Sequence, residues 1–480
     1  MNRKSGILLH ISSLHGDYSI GSFGKEAKEF IDFLSDSGFT YWQTLPFCMT
    51  DEYNSPYKSP ASFGANPYFI DLKALLERGY LTETELLSAK QKSPYLTEYE
   101  RLGKERLTLL SIAAGRVMND AEEYSRVEEF IKGRKELYEA AEFLALREAN
   151  GSSEWQKWSI TEPDKDRLFV WKFIQYEFLR QWSEIKKYAN EKGIKIIGDL
   201  PIYVSLDSAD VRSNPDDFQL DEEGYPTSVA GVPPDYFSED GQLWGNPLYD
   251  WKKMKRNGYV LWRKRIRHML TLFDGIRIDH FRGFEAYWKI PSKAESAKEG
   301  SWETGPGRKI IDVIRSEAKD KLIIAEDLGD ITPEVSALLE YSKFPGMRVL
   351  QFAFLGDGKT PHLPHNFDKN TVVYSATHDN NTLLGYVYEL DNLTRDRVFD
   401  YFGCVGESFT EACEKIKKAL LASPADTVIF PIQDILVYGA DTRMNTPGKS
   451  CGNWAYRLTR EQLFSIDREK YLHLNKLYGR

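Results

Sequence analysis

"LFDGIRIDHFRG", Leu272 to Gly283, begins as a buried strand and then ends in charge. Side chains of a strand alternate between its faces, so Ile276 and Ile278 share one face while Arg277 and Asp279 share the other. A strand with an apolar outer face and reactive groups at its C-terminal end suits a barrel. There the first pair packs under helices and the second points inward at the mouth.

Seven more short apolar runs bounded by Gly, Pro or Asp accompany it. "GILLHIS" (from Gly6) and "FTYWQTLPF" (from Phe39) flank "KEAKEFIDFLSDSG", in which Ala27, Phe30, Ile31 and Leu34 recur at helical spacing and Gly38 suits a helix C-terminus. "IKIIGDL" (Ile194), "KLIIAEDLG" (Lys321), "MRVLQFAF" (Met347), "TVVYSATHD" (Thr371) and "DTVIFPIQD" (Asp426) follow, with helix-like segments such as "YVLWRKRIRHMLTLF" and "GRKIIDVIRSEAKD" between most of them. Eight strands alternating with helices predict an α/β fold, a closed (β/α)8 TIM barrel, with an open doubly wound sheet as its rival.

Two connections are too long to be plain loops. Residues 50–164 follow the second strand and carry helical patterns such as "RVEEFIKGRKELYEAAEFLALREAN", which predicts a mainly helical insertion. Residues 201–256 follow the third strand, dense in Pro, Gly, Asp and aromatics, and predict a loop-rich insertion bordering the active site. Both leave from strand C-terminal ends, so the 480 residues read as one catalytic barrel, 1–480, with two outgrowths.

The formal charge is −9 with both signs interspersed, which argues against nucleic acid or an anionic membrane surface as partner and leaves a neutral ligand. Cys48, Cys404, Cys413 and Cys451 lack CxxC spacing, so neither zinc site nor disulfide framework is readable, and a reducing, cytoplasmic location is expected. "GILLHI" after Arg3 and Lys4 is too brief for a signal segment, and no run reaches transmembrane length.

Three carboxylates stand at strand ends: Asp279 and, by the same parity, Glu326 two after Ile324 in "IIAED" and Asp379 two after Thr377 in "ATHD", all three expected to point inward. A lone Asp there reads as a helix cap or surface ion pair. Three around one cavity need cations, hydrogen bonds or a function, because an unpaired buried carboxylate costs several kcal/mol. Metal binding and sugar chemistry are the two common uses. Arg277, beside Asp279, favours the second, since a fixed cation stabilises an ionised nucleophile and opposes a divalent metal. No metal and no cofactor are expected. A retaining mechanism would set the reacting carboxyl pair about 5–5.5 Å apart. Among loop aromatics, Tyr57, Tyr236, Phe237, Trp244 and Trp454 are candidate sugar platforms. "PGKS" at Pro447 is no phosphate loop, since Arg443 stands where its first Gly belongs. His362 and His365 in "HLPH" lack a third metal ligand nearby.

"DGIRIDHFRGF", "IIAEDLG" and "ATHDNNT" resemble the catalytic segments of the 4-α-glucanotransferases known as amylomaltases or disproportionating enzymes, relatives of the α-amylases. The resemblance runs along nearly the whole chain, through "SPYKSPASFGANPYFIDL", "IIGDLPIYVSLDSADV", "GVPPDYFSEDGQLWGNPLYDW" and "RMNTPGKSCGNWAYRL". It implies Asp279 as nucleophile, Glu326 as general acid/base and Asp379 as the stabilising carboxylate. It also implies substrate contacts from Tyr57, Asp207, Arg277, His280, His378, Asn453 and Trp454, to which the loop position of Trp244 adds a further candidate. The implied substrates are malto-oligosaccharides and α-1,4-glucans. The pattern departs from this family's at Lys58, Pro60 and Arg212. An α-amylase-type retaining hydrolase and a non-catalytic glucan-binding barrel are the alternatives.

Overall fold

The computed structural model describes residues 3–151, 154–234 and 239–480. Its strands, in chain order, are β1 (Lys4–Leu8), β2 (Tyr41–Gln43), β3 (Lys195–Leu200), β4 (Ser228–Val232), β5 (Gln242–Pro247), β6 (Gly275–Ile278), β7 (Ala286–Pro291), β8 (Ser301–Thr304), β9 (Leu322–Ala325), β10 (Gly346–Val349), β11 (Thr371–Tyr374) and β12 (Thr427–Pro431). Eight of them close a parallel barrel in the order β1-β12-β11-β10-β9-β6-β3-β2. These are the eight runs picked from the sequence. The open-sheet alternative fails because β1 pairs with both β2 and β12, from Lys4 opposite Thr427 to Leu8 opposite Pro431.

Alternation sorts the strand residues into two cores. Leu8, Ile197, Ile324, Met347, Val349, Val372, Tyr374 and Ile429 fill the barrel interior, whereas Ile7, Ile196, Ile276, Ile278 and Ile323 pack outward against helices. The wall is tight. At Gly198, which faces out from β3, a Cβ atom would meet the ring of Phe273 at 2.1 Å, so the aromatic sits where a side chain would be. Helices Lys25–Asp36, Lys165–Glu191, Val260–Leu272, Arg308–Ala318, Pro333–Ser342 and Phe409–Ala422 ring the barrel. The β10–β11 connection instead holds two short 3-10 turns.

Three excursions leave from strand C-terminal ends. After β2 come helices Leu72–Glu77, Glu83–Ala89, Tyr99–Met118, Ala121–Ile131 and Lys135–Asn150, the last two separated at Gly133, whose φ is +81°. After β3 comes the stretch with β4 and β5, and after β6 the stretch with β7 and β8. These four strands form one antiparallel sheet, β5-β4-β7-β8. The sequence signals neither β4 nor β5, whose runs "SVAGV" and "QLWGNP" are broken by Gly and Pro, and the second partner of β4 is the remote β7.

Candidate active site

Arg277 is the hub of the mouth. It points into the barrel from β6, 4 % exposed, and its guanidinium donates to both oxygens of Asp199 at 2.8 and 2.7 Å while pairing with Asp279 Oδ1 at 3.1 Å. Burial works against its charge, but the two carboxylates more than offset that and hold Arg277 above the usual arginine range. Asp199 also accepts the Tyr57 hydroxyl proton at 2.7 Å.

Beyond β6 the chain turns sharply. His280 takes a left-handed conformation, φ 50° and ψ 51°, which aims its backbone N–H at Glu326 Oε2, 2.7 Å away. Leu328 N–H donates to the other oxygen at 2.9 Å. Backbone bonds lock the neighbouring strand ends together, Asp279 N to Leu200 O and Glu326 N to Ile278 O, both 3.0 Å. Asp279 and Glu326 thus stand side by side with fixed orientation. Burial, followed by the negative charge of Asp279, outweighs Arg277 and the two N–H donors and pushes the Glu326 carboxyl up to about 8. His280 is drawn by burial down to about 4 and is neutral at pH 7; the ring of Trp244 meets it edge-on at 4.9 Å.

Across the mouth, the Tyr57 ring lies flat on His378, centroids 5.2 Å apart at 17°, with Trp454 against both at 5.9 and 6.0 Å. His378 Nε2 is 3.2 Å from Asp379 Oδ2, and Asn445 Nδ2 donates to Asp379 Oδ1 at 2.6 Å. Removal from bulk water raises the Asp379 carboxyl. His378, Asn445 and Arg277 overcome that and bring it down to about 2, although its side chain remains 44 % open to the mouth. A continuous run of contacts therefore links Asp279, Arg277, Asp199, Tyr57, His378 and Asp379, and the His280 N–H, next along the chain from Asp279, holds Glu326 at its start.

Strand alternation does not deliver Asp379. Val372 and Tyr374 face inward, so a continued strand would turn residue 379 outward. Instead β11 stops at Tyr374, and a turn held by Asn380 Oδ1, which accepts from Thr377 N at 3.0 Å and Thr377 Oγ1 at 2.7 Å, swings Asp379 in.

The remaining sequence candidates divide. Asn453 is spent on its own loop, accepting from Thr446 N at 2.9 Å and donating to Lys449 O at 2.8 Å. Asp207 pairs with Arg147 of the helical excursion at 3.2 Å and accepts from Trp155 N at 3.2 Å, apart from the carboxylate run; burial raises it to about 6. Tyr236 and Phe237 lie outside the described residues. His362 accepts from Val349 N and His365 pairs with Tyr401 OH, so the two serve different neighbours. Among the described residues no His, Cys, Asp and Glu cluster has metal-holding geometry.

Asp199, Arg443 and Asn445 are not singled out by the sequence. Asp199 follows Ile197 at the end of β3 under the same alternation that marks Asp279, so that rule suffices to find it. Arg443, which donates to Asp379 O at 2.5 Å, and Asn445 sit in an irregular loop where no periodicity operates.

A family model described as 4-alpha-glucanotransferase matches residues 9–462. The 4-alpha-glucanotransferase of Streptococcus pneumoniae serotype 4 is 39% identical over 496 residues, covering 100% of this chain and 97% of its own. That of Thermus thermophilus is 41% identical over 486 residues, covering 95% of each. In structure, the amylomaltase from Streptococcus agalactiae, solved in complex with acarbose, superposes with a TM-score of 0.94 at 35% identity, covering 100% of this chain and 99% of that one. With full-length likeness in sequence and in fold, this chain belongs to the 4-alpha-glucanotransferase family.

Proposed function

We propose that the protein transfers α-1,4-glucan segments from a donor malto-oligosaccharide to the 4-OH of an acceptor glucose or glucan by a retaining double displacement. The observation that carries this is the adjacent pair of unlike carboxyls: Asp279 ion-paired to Arg277, and Glu326 pushed up to about 8 beside it. Two carboxyls with divergent environments take the roles of nucleophile and proton donor.

Arg277 engages Asp279 Oδ1, leaving the other oxygen to attack the anomeric carbon. As that bond forms, the glycosidic C–O bond breaks and the Glu326 proton goes to the departing 4-oxygen, giving a β-linked ester. Esterification removes the Asp279 charge, one of the causes that raise Glu326, so Glu326 becomes more acidic just as it must serve as a carboxylate base. It then takes the proton of an acceptor 4-OH, which attacks C1, releases Asp279 and restores the α configuration. The proton count closes without exchange with solvent. Asp379, ionised at any working pH, accepts hydrogen bonds from ring hydroxyls that tighten as the ring flattens toward an oxocarbenium ion. The Tyr57 ring gives the sugar a flat apolar wall.

Transfer requires the acceptor to outcompete water, and in this reading the excursions after β2, β3 and β6 screen the mouth. Four free cysteine thiols support a reducing, cytoplasmic setting, and among the described residues no helix is long and apolar enough to cross a membrane. Incubation with maltotriose is the deciding experiment. Longer oligosaccharides together with glucose are expected; maltose and glucose alone would mean a hydrolase. Glu326→Gln supplied with an activated α-glycosyl donor should accumulate an ester on Asp279, read as an added glycosyl mass on the peptide that contains it.

A further inference from the structure

His378 and Asp379 ride on an irregular segment, Ser375 to Leu383, between the end of β11 and the helix Leu383–Glu389. Its middle is pinned by Arg443 and Asn445, the latter also donating its backbone N–H to His378 O at 3.0 Å. Both of its ends are held by one side chain. Asp434 Oδ2 accepts the Ser375 hydroxyl proton at 2.6 Å, and Asp434 Oδ1 accepts the Leu383 N–H at 2.7 Å.

Asp434 is 1 % exposed and sits in the short helix Ile432–Leu436 that follows β12. Its backbone is anchored in turn. Lys417, also buried, donates to Asp434 O at 2.9 Å and to Ile435 O at 3.3 Å, and its other partners are Glu414 and the Tyr471 hydroxyl. Among the described residues the Asp434 carboxylate touches two neutral donors and pairs with no cation, an expensive arrangement for a buried charge. A carboxylate is nevertheless the group that accepts on both oxygens at once. An amide offers one accepting oxygen and turns its NH2 on the other donor.

We propose that Asp434 is a positioning residue for the transfer reaction: by gripping Ser375 and Leu383 together it fixes the span of the segment, and with it where Asp379 stands relative to Asp279 and Glu326. The inference rests on the role given to Asp379 above. Asp434 touches no reacting atom; it acts on Asp379 through the backbone, in concert with Arg443 and Asn445 from the same post-β12 chain.

Four variants test it, assayed with maltotriose well below each melting temperature and with kcat normalised to the folded fraction. Asp434→Asn is expected to lower kcat about 10–100-fold, the range a displacement of about 1 Å costs a catalytic group, while KM stays within about twofold. Ser375→Ala, which deletes one buried hydroxyl, should lower kcat in the same direction by several-fold, and the double variant should show less than the product of the two losses, because both cut one grip. A merely structural Asp434 predicts lower melting temperatures with normal kcat per folded molecule. Should Asp434→Asn fail to fold, Ser375→Ala alone decides: parental kcat overturns the proposal. Asp379→Asn separates the two levels. If it turns over normally, the role of Asp379 falls and the inference with it. If it is inactive while Asp434→Asn and Ser375→Ala match the parent, only the positioning inference falls.

Discussion

Arg277 pairs one buried guanidinium with two carboxylates, so its loss removes the cation from both Asp199 and Asp279. Arg277→Met should cost about 3–5 kcal/mol in denaturant unfolding, the cost of breaking a buried pair from one side, and abolish transfer. Arg277→Lys should rescue neither, since an ammonium lacks the planar fork that spans Asp199. Glu326 makes a second prediction. Because its working form is protonated, kcat/KM should fall as pH rises through about 8. Linkage fixes the sign for stability. Between the ordinary value of 4.5 and about 8 the folded chain keeps a proton that the unfolded chain releases, so this residue's contribution to stability is full below 4.5 and declines up to 8. The melting temperature of Glu326→Gln, which has no such proton to lose, should therefore gain on the parent across that window; a constant difference from pH 4 to 9 would refute the shift. At this scale alternation in two short strands makes Asp279 and Glu326 readable from sequence. It makes Asp199 equally readable, though a carboxylate in "IIGDL" without a neighbouring His or Arg draws no notice. Asp379 is delivered by a turn, and turns answer to hydrogen bonds that no period announces.

Elements differ in how openly the sequence declares them. Parallel barrel strands are buried on both faces and read as short runs dominated by apolar residues and bounded by Gly, Pro or Asp, which is why all eight stand out. The antiparallel sheet is assembled from two excursions, with β4 joined to β7 from Ser228 opposite Pro291 to Gly231 opposite Trp288, and nothing local to either strand names its partner. The tightness of the barrel wall gives a direct test. Gly198→Ala places a methyl 2.1 Å from the Phe273 ring and should destabilise by about 1–3 kcal/mol or more, the usual cost of overpacking. Pairing it with Phe273→Leu should recover part of that loss in thermal unfolding; an unchanged Gly198→Ala midpoint would show that the wall can give.

For the molecule as a whole, the barrel brings groups from four separate strand ends to one rim, and three excursions leave from strand ends of that same barrel. Arg147 and Asp207 tie the helical excursion to the stretch after β3 across a 3.2 Å ion pair. Arg147→Ala should loosen that tie and raise the ratio of hydrolysis to transfer a few-fold in maltotriose digests, with the ester-forming half reaction unchanged. The barrel seam itself carries a consequence for the nascent chain. β1 is complete once its residues leave the ribosome, yet one of its two neighbours, β12, is translated more than four hundred residues later, a delay on the order of tens of seconds. Throughout that interval one long flank of "KSGIL" must go without its mate, and an unpaired strand flank is a template for other chains. Safe biogenesis of this enzyme then depends on keeping its first-made strand shielded until its last-made one arrives.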